Sequence, residues 1–258
     1  MWRGDKYDSV ADPQHRWGLS VLEGHEDTAP TRILDAGCGS GRVTEQVLHR
    51  FGDADIVAID TSASMLDAAR NRLGHRSRLT LEQVDLGDSA ALMKLGRFDA
   101  ILSTGTLHWV MDNGKLFADL GKMLTARGIF VSQSGGEGSI EAVRTILDEL
   151  GIGWSRLNNY ASVSGTRDRL TAAGFDPVEC WMTNEPVDFE DHNAFVDYLL
   201  NGVISPYVSS LNEPERMSIA EEVADRLPAL NLQFVRLNIR ANVRETSRGG
   251  LSGPAGLL

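Results

Sequence analysis

Short apolar runs alternate with amphipathic stretches over most of the chain. Residues 32–35, 55–60, 78–84, 98–103, 129–133 and about 175–183 read as strands. Several of them are almost continuously apolar, as in parallel strands buried on both faces. Between them, helical spacing gathers Val43, Val47 and Leu48 on one stripe, and Met65, Leu66, Ala69 and Leu73 on another. A third stripe carries Leu116, Phe117, Leu120 and Leu124, and a fourth carries Ile140, Val143, Ile146, Leu147 and Leu150. Residues 167–173 continue the helical pattern. Strand-then-helix alternation predicts a parallel sheet with helices on both faces.

The pattern changes beyond residue 183. Residues 191–200 read as a short helix that Ser205-Pro206 breaks. Asn212-Glu213-Pro214-Glu215 is a capping-box signature, with proline in the first turn of the helix that follows. A helical insert over about 186–230 is therefore expected before a last strand at 232–243. That strand alternates: Val235, Leu237, Ile239, Ala241 and Val243 share one face, while Arg236, Asn238, Arg240, Asn242 and Arg244 share the other. At the front, residues 1–30 hold no strand, but Trp2, Tyr7, Gln14 and Trp17 need a surface to pack on, and a helix is expected around 14–22. The Gly- and Ser-rich residues 245–258 read as a disordered tail. The expected body is thus 31–244.

Composition narrows the classes. The chain has 258 residues, 42% of them hydrophobic, enough for one large α/β domain. A formal charge of −11 argues against a nucleic-acid backbone as the main partner. Two cysteines, Cys38 and Cys180, lie far apart, and neither they nor the six histidines show metal spacing, so no metal is expected. The first residues lead into no apolar core of a signal peptide, and no run approaches a membrane span; a cytoplasmic protein is expected.

The candidate chemistry collects at strand ends. Asp35-Ala36-Gly37-Cys38-Gly39-Ser40-Gly41 closes the first strand, with an acid and then glycines at every second position. Glycines there permit positive φ and let a ligand approach the main chain. Asp60 ends the second strand, Asp85-Leu86 the third, and Ser103 to Trp109 follows the fourth. Ligands of open α/β sheets bind beyond these carboxyl ends. A nicotinamide dehydrogenase also wants an acid about twenty residues after its glycines, but its usual turn is Gly-x-Gly-x-x-Gly. That reading leaves Asp35 and Asp85-Leu86 without a use.

Asp-x-Gly-x-Gly-x-Gly resembles the first motif of the class I S-adenosylmethionine (SAM)-dependent methyltransferases. Thr106-Leu107-His108-Trp109-Val110, the last strand and the opening Trp2…Tyr7-Asp8…Gln14…Trp17-Gly18 resemble the trans-aconitate and juvenile hormone acid methyltransferase group. Residues 12–16 depart from the arginine- and proline-rich stretch of the trans-aconitate enzymes. The resemblance implies a Rossmann-like seven-stranded, mostly parallel sheet with an antiparallel last strand, an N-terminal helical lid and a helical cap between strands six and seven. It implies SAM as cofactor, with Asp35, Gly37, Cys38, Gly39, Asp60, Thr61, Met65, Asp85, Leu86 and Thr104 around it. Gly37 to Gly41 would pass under the methionine part, Asp60 would take the ribose hydroxyls, and Asp85 with Leu86 the adenine.

Residues 1–20 are expected to shield the site. Tyr7 and Trp17 of this segment, Trp109 after the fourth strand, and Arg236 are the expected acceptor-side residues, Arg236 because an antiparallel last strand begins at the ligand edge. His108 is expected as a general base, or else as a hydrogen-bonded wall. Arg236 would anchor a carboxylate, or else pair with surface acids. The expected reaction is O-methylation of a small carboxylic acid. N- or C-methylation and a non-catalytic SAM-binding module remain alternatives.

Overall fold

The computed structural model describes residues 12–22, 29–154 and 157–244. Seven strands form one sheet: β1 (Arg32–Ala36), β2 (Asp55–Asp60), β3 (Leu79–Gln83), β4 (Phe98–Thr104), β5 (Leu124–Gly135), β6 (Phe175–Asp188) and β7 (Asn231–Val243). Their order is β3-β2-β1-β4-β5-β7-β6. β7 runs antiparallel to both neighbours, and the β3-β2-β1-β4-β5 pairs are parallel. The expected architecture is therefore present. Apolar side chains from both faces of the sheet, such as Leu34, Ile101 and Phe130 on one and Ile33, Ile56 and Leu102 on the other, are fully buried under helices.

The helices are α1 (Asp12–Gly18), α2 (Arg42–Arg50), α3 (Ala63–Leu73), α4 (Ser89–Lys94), α5 (Asn113–Met123), α6 (Glu141–Glu149), α7 (Val163–Ala172), α8 (His192–Tyr198) and α9 (Glu213–Arg226). Their ends follow local chemistry. Ser62 Oγ caps α3 by accepting from the Met65 N–H, and Asp88 caps α4 through the Ala90 and Ala91 N–H groups. At α9 the capping box forms in both directions, Asn212 accepting from the Glu215 N–H at 3.0 Å and Glu215 from the Asn212 N–H at 2.9 Å.

Three boundaries differ from the sequence expectation. β5 begins at Leu124, directly after α5, because Leu124 pairs with Phe98 before the strand bulges. β6 extends to Asp188 because β7 offers backbone partners as far as Asn231. The helix expected at 14–22 splits into α1 and a short 3-10 helix, Leu19–Leu22. α4 escaped the periodicity altogether, since a helix of one and a half turns shows a single buried residue, Leu92.

Between β6 and β7 lie α8, a π-helical turn at Leu199–Val203 and α9. They build a second core with α6 and the start of β7, in which Val143, Leu147, Phe195, Leu199, Val223 and Phe234 meet. This core places the insert over the strand ends where ligands of such sheets bind. Residues 1–11 and 245–258, with Tyr7 and the expected tail, lie outside the described residues.

Candidate active site

Two adjoining cavities open at the carboxyl ends of β1, β2 and β4. The larger, of ≈ 370 Å³, is lined by the turn after β1, the end of β2, Val84 to Leu86, Thr104 to Thr106 and two residues of α1, Gln14 and His15. Gly37, Cys38, Gly39, Asp60, Thr61, Met65, Asp85, Leu86 and Thr104 all border it. The sequence placed these nine residues together, and the fold brings them together.

The turn after β1 is held from below. The N–H groups of Gly37 and Cys38 both donate to Ile59 O at 2.9 Å, tying the turn to β2. Gly37, Gly39 and Gly41 take φ values of 90°, 55° and 82°, which β-carbon-bearing residues rarely adopt. Their side-chain spaces differ from the expectation. A Cβ on Gly37 would strike the Thr106 side chain, not a ligand alone, whereas a Cβ on Gly39 meets nothing within 4 Å. Gly39 is thus the position where the main chain faces open space. Asp60 clasps the turn from the other strand: Oδ2 accepts from the Gly39 N–H at 3.0 Å and Oδ1 from the Ser62 N–H at 2.8 Å. Burial raises its pKa and these backbone donors oppose the rise.

Asp35 lies beneath the cavity, 1% exposed, and does not line it. Thr44 Oγ1 donates to its Oδ2 at 2.6 Å, and its Oδ1 is buried with no partner. Burial pushes its pKa up to about 6; the Thr44 hydroxyl opposes this and the Asp60 charge adds to it. The sign follows. The folded protein holds this proton more tightly than the unfolded chain, so stability falls as pH rises from about 4 through about 6 and stays reduced above. A shift of about two units corresponds to about 3 kcal/mol. In the ligand-free protein, Asp35→Asn should remove most of this loss between about pH 5 and about pH 7.5. Denaturant titrations at the two pH values check it, and an unchanged pH dependence in the variant would contradict it.

The smaller cavity adjoins the first and shares Gln14, Gly105 and Trp109 with it. Its walls are His108, Ile140, Tyr160, Val203, Tyr207 and Phe234, with Arg236. Arg236 is 4% exposed, so the expectation of surface ion pairing is wrong for it. Its Nε and Nη2 donate to Gln133 Oε1 at 3.2 and 3.1 Å, and its guanidinium lies 4.8 Å from the Trp17 ring centroid. Trp17 lines neither cavity. It packs behind Arg236, with its ring 4.9 Å from Phe234, so it supports the pocket and does not form its wall.

His108 also departs from the expected base. Its Nδ1 accepts from the Gly135 N–H at 3.2 Å, so a neutral ring carries its proton on Nε2. Burial, reinforced by the Arg236 charge, lowers its pKa to about 3. At working pH the ring is a neutral N–H donor with no lone pair to spare. It stacks on Tyr160 at 5.5 Å and 16°. Tyr160 hydrogen-bonds Tyr207, whose hydroxyl donates to Asn158; burial raises both phenols.

Gln14, Tyr160 and Tyr207 were not assigned to the site from the sequence. Gln14 donates through Nε2 to the Tyr198 hydroxyl at 2.7 Å, joining α1 to the insert. Tyr160 and Tyr207 sit in a loop and in the insert, where no motif marks them.

The profile of a methyltransferase-domain family matches residues 34–130, the strands and turns that build the larger cavity. Trans-aconitate 2-methyltransferase of Methylobacterium nodulans is 28% identical over 220 residues, covering 82% of this chain and 83% of that one. Residues 34–130 thus hold a methyltransferase domain, and the chain is a SAM-dependent methyltransferase.

The methyltransferase is also 29% identical, over 162 residues, to malonyl-[acyl-carrier protein] O-methyltransferase of Legionella pneumophila; that match spans 62% of this chain and 54% of the relative. Among solved structures, YcgJ of Bacillus subtilis superposes with a TM-score of 0.60 at 16% identity over 90% of this chain and 99% of that one. Phosphoethanolamine N-methyltransferase 2 of Haemonchus contortus, in complex with SAM, does so with a TM-score of 0.60 at 16% identity, over 93% and 56%. At such identities these two establish the fold.

The larger cavity fits the cofactor on its own terms. It offers a carboxylate, Asp60, for a diol, apolar Met65, Val84 and Leu86 for a flat ring, and main chain at Gly39 open to close approach. Two buried polar atoms of its lining residues, Gln14 Oε1 and His15 Nε2, have no partner among the described residues. No helix among those residues is long and apolar enough to cross a membrane.

Proposed function

We propose that this methyltransferase esterifies a small carboxylic acid, binding SAM in the larger cavity and the acid in the smaller one. The observation that carries the reading is electrostatic. Among the described residues, the smaller cavity has a buried guanidinium and no base. No Asp, Glu or Lys lines it, His108 is a neutral donor, and burial raises both tyrosines. An alcohol or phenol would need a base to take its proton, and a protonated amine would meet the Arg236 charge. A carboxylate is already ionised at neutral pH and suits a guanidinium.

When bound, SAM supplies a methyl group on a positively charged sulfur, ready for in-line displacement by an oxygen lone pair. The chain's own residues position and desolvate. Asp60 would receive the ribose hydroxyls on the lone pairs its two backbone donors leave open. Gly37 to Gly39 would lie under the amino-acid part, Cys38 through its backbone. Met65, Leu86 and Asp85 would border the adenine, and Thr61 and Thr104 complete the wall. Arg236 and the His108 Nε2–H would hold the acceptor carboxylate from one side, with Trp109 at the passage between cavities. α1 closes the larger cavity through Gln14 and His15, which keeps water from the passage. The trans-aconitate and malonyl-[acyl-carrier protein] enzymes among its relatives support an acidic acceptor.

Labelled SAM incubated with parallel panels of acids, alcohols and amines should give a base-labile methyl ester from acids alone. His108→Gln, which keeps an N–H donor, should retain kcat within about tenfold and leave the pH profile unchanged. A loss of about a hundredfold or more in kcat would return His108 to the role of general base.

A further inference from the structure

The described polar groups around the smaller cavity bear on the charge of the acceptor. Arg236 places two of its N–H donors on Gln133 Oε1 and lies against Trp17, with its charge buried beside His108. His108 presents a single donor, Nε2–H, because the Gly135 N–H occupies Nδ1. Tyr207 donates its only proton to Asn158, and the Tyr160 hydroxyl lies beside the Tyr207 hydroxyl. Ser139 Oγ accepts from the Val235 N–H at 3.2 Å. Gln14 donates to Tyr198 and has its carbonyl oxygen left, an acceptor that repels anions. The remaining wall is Ile140, Val203, Phe234 and the ring faces of Trp109 and the two tyrosines.

Two further cations stand nearby but are committed elsewhere. Arg144 lies 3.7 Å from the Trp154 ring centroid and 5.0 Å from that of Tyr160, and does not line the cavity. Arg42 lines the larger cavity and pairs with Asp12 at 2.5 Å. The cavity itself is small, ≈ 60 Å³.

We infer that the acceptor carries one carboxylate on an uncharged, mainly apolar body, and that a second carboxylate is selected against. The inference rests on the carboxylate reading of this site and adds the charge and polarity of the rest of the molecule. The physical reason is asymmetric. One carboxylate finds Arg236 and His108. A second would be buried against aromatic rings, the Gln14 carbonyl and the committed Tyr207 hydroxyl, with its hydration lost and no second cation among the described lining residues to replace it. Sites built this way reject the misfitting group strongly, since the penalty falls on a buried unpaired charge.

The test compares molecules of nearly equal size that differ by one charge. Succinate is set against monomethyl succinate and adipate against monomethyl adipate, with hexanoate as a reference acid. kcat/KM is measured from base-labile ester with labelled SAM. Binding of each compound to the full chain saturated with S-adenosylhomocysteine is followed by calorimetry. Each monoester should exceed its diacid by about tenfold or more in kcat/KM, and in affinity for the saturated protein, with hexanoate on the monoester side. A diacid equal to or better than its monoester, while esters still form, would overturn the single-charge inference and leave the carboxylate reading standing. Absence of any ester and of any binding across all five acids would overturn the carboxylate reading itself, and the inference with it.

Discussion

Asp60→Ala should weaken SAM binding by about 1–3 kcal/mol, roughly five- to 150-fold in dissociation constant. Two losses combine in the substitution. The acceptor proposed for both ribose hydroxyls goes, and the N–H groups of Gly39 and Ser62 lose the carboxylate that holds the turn against β2. Asp60→Asn separates them. It preserves the shape and one carbonyl acceptor, so the turn should survive, while the charge and one acceptor for the diol are lost. Its affinity should lie between those of the wild type and the alanine variant. Calorimetry with SAM decides the matter, with circular dichroism to establish folding. A folded Asp60→Ala protein with unchanged affinity would remove the ribose role and leave Asp60 as a strand-end clasp.

Arg236→Leu should raise the acceptor KM by about tenfold or more while leaving SAM affinity alone. Leucine keeps the apolar stem that packs near Trp17 but removes the cation of the smaller cavity. The larger cavity does not include Arg236, so SAM binding serves as the internal control for folding. Arg244→Leu, one residue beyond the end of β7, is the matched comparison. Arg244 lies at the opposite edge of the sheet, where it pairs with Asp176 at 3.4 Å with both side chains more than half exposed. Such a pair contributes little, and the acceptor KM should not move. Equal effects from the two substitutions, or none from either, would return Arg236 to a purely structural part.

The cofactor side of the site was legible because its residues act close to where the chain places them. Asp35 to Gly41, Asp60, and Asp85 with Leu86 sit at strand ends, and once the strands are recognised as parallel, topology alone brings those ends to one edge. The glycine turn needs positive φ whatever surrounds it. The acceptor side was read more poorly. Arg236 was placed at the right end of β7, since the antiparallel direction follows from the resemblance, but the polar face of that strand was left open between a carboxylate anchor and pairing with surface acids. Alternation reports which side chains share a face. It does not report that α1 folds back and sets Trp17 over that face, burying Arg236 and Asn238.

His108 shows the same division at the level of one proton. Its position after β4 is written in the sequence, and a histidine beside a site invites the role of base. The Gly135 N–H, 27 residues onward, and the guanidinium of Arg236, on another strand, fix which nitrogen bears hydrogen and hold the ring neutral. Tyr160 and Tyr207 come from a loop and from the insert, and Asn158, set by the same loop, orients the Tyr207 hydroxyl. The sequence by itself determined the alternation of strands and helices, the glycine turn and the acids at the strand ends, because periodicity and backbone permissiveness are local properties. Only the tertiary structure decided the charge, protonation and hydrogen-bond direction inside the smaller cavity. Those depend on desolvation and on donors brought from distant elements, and neither exists until the chain has packed.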